Sequence, residues 1–129
     1  MKSPQINIHI SDDVTIKGIQ QKFSSLFPYL KLEFFSRPHQ TGKGSEKKYM
    51  KTEDALLKDF RLVHSEGDLI IEGSMTVSNL ENLFKDHYGL YVQVFRRSGK
   101  LWLETTATDS WTLAVQNDQG AELSNDYKE

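Results

Sequence analysis

Two stretches of this chain carry the same pattern of apolar and polar residues, and an internal repeat restricts a fold more than composition does. The first holds Ile8, Ile10, Thr15, Ile16, Ile19, Phe23, Phe27, Leu30, Leu32 and Phe34. The second holds Leu69, Ile71, Thr76, Val77, Leu80, Phe84, Tyr88, Leu90, Val92 and Val94. The offset is 61 residues through the middle of the stretch and 60 after it, so the second copy is one residue shorter at the turn.

Each copy reads as strand, helix, strand. Ile6, Ile8 and Ile10 alternate with Asn7 and His9, the period of a half-buried strand. Thr15 then stands where a helix N-cap belongs, with a hydroxyl able to accept a free first-turn N–H. Ile16, Ile19, Phe23, Leu26 and Phe27 recur at three and four and form one apolar stripe. Pro28 cannot continue that ladder. Leu30, Leu32 and Phe34 alternate as the next strand. In the second copy Thr76 caps, Val77, Leu80, Leu83, Phe84 and Tyr88 make the stripe, and Gly89 ends it.

After each copy the chain turns back. Arg97-Ser98-Gly99-Lys100 predicts a hairpin into Leu101-Trp102-Leu103-Glu104. The loop over residues 38–45 leads to Lys48-Tyr49-Met50, a short returning strand. A turn-like stretch follows in both copies, Ala55 to Phe60 and Trp111 to Val115, with Asp109-Ser110 expected as a cap. Gly67-Asp68-Leu69 and Gly120-Ala121-Glu122-Leu123 then open or form a strand.

The order helix, strand, Gly-turn, short strand, Thr-Leu turn, Gly, strand resembles the second part of ubiquitin-like β-grasp domains. It is carried here by Thr76 to Gly89, Leu90 to Arg97, Gly99-Lys100, Leu101 to Glu104, Thr112-Leu113 and Gly120 to Leu123. The last residues are Asn125-Asp126-Tyr127-Lys128-Glu129, without a di-glycine, so the resemblance implies no conjugation or sulfur-carrier chemistry. The whole sequence is also similar to a small bacterial family without an assigned activity. The expectation is an α+β fold: two related β-α-β(-β) units sharing a mixed sheet, with the helices packed on one face. A ferredoxin-like arrangement of two β-α-β units is the alternative. The units cover about residues 5–66 and 67–123 of a single domain, and residues 124–129 read as a polar tail.

Composition narrows the chemistry. There are no cysteines, which excludes disulfides, thiolate metal sites and a thiol nucleophile, and favours a cytoplasmic setting. The N-terminal residues lack an apolar signal core, and the longest aliphatic run is Leu69-Ile70-Ile71, far short of a membrane span. Seven Phe, five Tyr and two Trp supply bulk for one core. Net charge is −2, so no overall field recruits polyanions.

Histidines 9, 39, 64 and 87 lack metal-ligand spacing, and no Ser or Thr sits in a nucleophile elbow. The expectation is therefore no enzyme and no cofactor. Two surfaces remain. If the helices cover one face only, Phe35, Tyr91, Phe95 and Trp102 point from the other, a surface suited to a protein partner or a second copy. A basic segment, residues 37–51, contributes Arg37, Lys43, Lys47 and Lys48, which Arg97 and Lys100 match in the second copy. That set suggests anion or nucleic-acid binding as the alternative, although the Thr41-Gly42-Lys43-Gly44-Ser45 run lacks the spacing of a phosphate-binding loop.

Overall fold

Helix starts carry the same device in both halves of the protein. In the computed structural model, which describes residues 5–37 and 47–127, Thr15 Oγ1 accepts the N–H of Gly18 at 3.1 Å and Thr76 Oγ1 accepts that of Asn79 at 3.0 Å. They open α1, Ile16–Leu26, and α2, Val77–Tyr88. Gly89, at φ +63°, closes α2 in the left-handed conformation. Around each start the chain makes matching bonds. Ile16 N–H donates to Ala55 O as Val77 N–H does to Trp111 O, and Leu57 N–H donates to Val14 O as Leu113 N–H does to Met75 O.

The architecture is α+β. β1, Gln5–Ile10, pairs antiparallel with β3, Gly67–Glu72. β2, Leu30–Phe35, pairs antiparallel with β4, Tyr91–Ser98, which pairs antiparallel with β5, Leu101–Glu104. The strands thus form two antiparallel sheets, β1-β3 and β2-β4-β5, in place of the single mixed sheet expected. One core joins them. Ile8, Ile10, Leu69 and Ile71 of the first sheet lie in the same buried cluster as Leu32, Phe34, Val92 and Val94 of the second, with α1 and α2 supplying Ile19, Phe23, Leu80 and Phe84. Phe34 meets Phe84 edge-on, ring centroids 5.8 Å apart.

The C-terminal part departs from expectation. Gly120 to Leu123 is no strand, and Ser124 begins no tail: both lie in α3, Leu113–Tyr127. Its capping oxygen is Thr112 Oγ1, which accepts Val115 N–H at 3.1 Å, and not the side chain of Asp109 or Ser110. The helix was hidden because its buried face is polar or small: Leu113, Gln116, Gly120 and Ser124 follow helical spacing, but only one is a large apolar residue. Lys48-Tyr49-Met50 is a 3-10 turn over Lys47–Tyr49 followed by one bridge, Met50 to Phe35. No helix among the described residues is long and apolar enough to cross a membrane.

Candidate interaction surface

Residues directly opposed across antiparallel strands share a face. The register of β2-β4-β5 therefore lines up Lys31, Phe95 and Glu104 in one row, Arg97 and Trp102 in the next, and Phe35 with Tyr91 at the other end. The four aromatics expected together do lie on one face, away from α2. Phe35, however, is 2% exposed and offers no contact surface. It is the middle of its row, with Tyr91 on one side and Met50 bridged on the other, so its neighbours cover it. Tyr91, Phe95 and Trp102 are half-buried.

Cations sit over the open rings. Lys31 Nζ lies 5.6 Å from the Phe95 centroid and 5.2 Å from that of Trp102, and the Arg97 guanidinium is 5.8 Å from Trp102. Such contacts are each worth about 0.5–1 kcal/mol where solvent reaches them. Lys31 also faces Glu33 at 3.9 Å, and Gln20 Nε2 donates to Glu33 Oε1 at 3.2 Å. Burial pushes the Glu33 carboxyl above its ordinary range, against the pull of Lys31 and Gln20. These residues border a cleft of about 350 Å³ between α1 and β2, lined also by Lys17, Ser24 and Glu53. It is charged and holds no nucleophile–base pair.

The opposite face of β5 reverses an expectation. Leu101 and Leu103, whose alternation points them inward, are 66% and 41% exposed. The main helix packing falls on β1, β2 and β4, and among the described residues the inner side of β5 is left largely open. Beside it Arg96, opposite Leu103, lies 5.7 Å from the Trp111 ring and donates from Nη1 to Gln116 Oε1 at 2.9 Å. Trp111 and Val115, near the start of α3, are 38% and 50% exposed, and Arg96 stands between Leu103 and the Trp111 ring. Sequence reasoning missed this exposure. Alternation shows which residues share a face but not how far a helix reaches across it.

The described basic residues are not brought together. Arg37 lies 4.8 Å and Lys48 5.1 Å from the Tyr49 ring, with Lys47 exposed next to them. Lys43 lies outside the described residues. Arg97 and Lys100 belong to the far end of the sheet, because Leu30 pairs with Arg96 while Phe35 pairs with Tyr91. The length of β2, about 20 Å at strand rise, separates the two groups. Arg97 is also engaged, its Nε donating to Gly99 O at 2.8 Å.

Two of the histidines meet carboxylates. His9 Nδ1 is 3.0 Å from Asp68 and His64 Nδ1 2.8 Å from Asp12. Asp12 Oδ1 also accepts from Nε and Nη2 of Arg61, at 3.1 and 2.9 Å, and Arg61 Nη1 donates to Tyr88 O. The buried guanidinium thus ties the β1–α1 turn to the C-terminus of α2. No group of three or more His, Asp or Glu suited to a metal ion occurs among the described residues. No protein-family model matches the chain, and neither the curated proteins nor the solved structures contain a match.

Proposed function

We propose that this protein is a non-catalytic interaction module whose contact surface is centred on β5 and the aromatics beside it. One observation carries the reading: Trp102 and Phe95 on one face, and Leu101 and Leu103 on the other, are all accessible to solvent around a single short strand. Apolar groups gathered in this way, ringed by Lys31, Arg97 and Glu104, have the composition of a contact surface. The separation of Arg37 and Tyr49 from Arg97 and Lys100 is why a protein surface is favoured over a polyanion, which would need one continuous basic track. The proposal carries with it the cytoplasmic setting expected from the cysteine-free sequence. It also takes the two halves as copies of one β-grasp-like unit, a descent that the matching bonds around Thr15 and Thr76 support.

Light scattering after size exclusion, at several concentrations, is the test, run on the wild type, Phe95→Ser and Trp102→Ser, with a co-purified partner scored in the same traces. Both substitutions are expected to weaken association at least tenfold while leaving the circular dichroism unchanged. Association untouched by either would overturn the reading.

A further inference from the structure

The two outer edges of the three-stranded sheet are treated differently. Along β2 the free carbonyls are all taken: Ser24 Oγ donates to Leu30 O, Gln20 Nε2 to Leu32 O, and Lys51 N–H to Phe34 O. Along β5 no strand pairs with the outer edge among the described residues. An open edge flanked by apolar side chains is a template for another strand.

The phase of the β4–β5 hairpin shows what that edge presents. Ser98 pairs with Leu101 across a two-residue turn, which makes theirs a hydrogen-bonded pair. The ladder keeps that phase to its end, where Thr105 N–H donates to Val94 O. Leu101 and Leu103 therefore turn their backbone groups towards β4. Trp102 and Glu104 turn theirs outward.

We infer that a second copy of this chain pairs antiparallel along β5, with Trp102 opposite Trp102 of the partner on the two-fold axis. This inference rests on the interaction reading above and narrows it to one occupant. The charges choose that occupant. Opposed residues must share a face, so centring the pair on Trp102 sets Lys100 against the partner's Glu104 and Leu101 against the partner's Leu103, each twice. Sliding the strands by two residues either way leaves the acidic or the basic ends without a counterpart. Parallel pairing would place like charges side by side. The pairing joins two three-stranded sheets into one of six and adds cover to the Leu101 and Leu103 side chains that each copy leaves open.

Because the chain has no cysteine, register is read with introduced thiols. Opposed residues of a hydrogen-bonded strand pair stand about 5.5 Å apart at Cα. Lys100, the turn residue that leads into β5, continues the row of Trp102 and Glu104 to within disulfide reach of the partner's Glu104 in this register. Full-length Lys100→Cys and Glu104→Cys, both at exposed positions, are mixed and oxidised with diamide. A covalent dimer that forms from the mixture at least tenfold faster than from either variant alone is expected. Equal cross-linking of a single variant with itself would overturn the register. In a second arm, Glu104→Lys is expected to weaken the dimer tenfold or more, and Lys100→Glu added to the same chain to restore it. Absence of that rescue would overturn the pairing, as would a monomer at every concentration. Association that Phe95→Ser abolishes but that yields no mixed cross-link overturns the edge pairing and spares the broader reading.

Discussion

At the scale of single residues, Arg61 is a charged group whose side chain is fully buried. A guanidinium removed from water is tolerated only when its donors are met, and here two go to Asp12 and one to the end of α2. The bond from His64 and the Arg61 cation hold the Asp12 carboxyl below its ordinary value, against the opposing effect of partial burial. A lowered folded-state value means that the folded protein gains stability above the unfolded value and loses it as pH falls through the folded one. Denaturant midpoints are therefore expected to drop below about pH 4, and Asp12→Asn to remove its own share of that drop. An unchanged acid limb in Asp12→Asn would show that Asp12 carries none of it. This cluster was not legible in the sequence. Asp12 and Arg61 are far apart in the chain, and nothing in their neighbours marks them as partners.

At the scale of elements, the helix starts and the first strand-helix-strand units could be read directly, because caps and apolar periodicity are local properties. α3 could not. Its buried side is built from Gln116, Gly120 and Ser124, which bond or fit instead of supplying apolar bulk. Gln116 holds Thr108 and Arg96, and Asn117 Oδ1 accepts Tyr29 N–H at 2.9 Å. A Cβ on Gly120 would stand 2.9 Å from Tyr29 Cβ, too close for either chain to keep its place. Helix propensity favours alanine over glycine by about 1 kcal/mol. Gly120→Ala is nevertheless expected to lower the melting temperature, because α3 must lift from β2 and β4. A raised melting temperature would mean that the close approach has no energetic consequence.

At the scale of the molecule, the two sheets share one core, so the halves are expected to unfold together. At about 60 residues, each half alone would bury a smaller fraction of its surface and be marginally stable. Phe84 lies fully buried against Phe34 of the other half. Phe84→Ala is expected to cost about 3–5 kcal/mol, as large aromatic truncations in cores do. Calorimetry should show one transition shifted as a whole; two separately moving transitions would contradict the shared core.

The sequence by itself determined what nearest neighbours decide: which residues alternate, where Thr15 and Thr76 begin helices, where Gly89 and Gly99 reverse the chain, and that the fold is α+β. Tertiary structure decided what depends on reach. Whether Phe35 is covered, whether Leu101 and Leu103 are open, whether five strands make one sheet or two, and which basic residues meet are all questions of how far one element extends over another. Periodicity describes the face of an element, and only packing says what, if anything, is set against it.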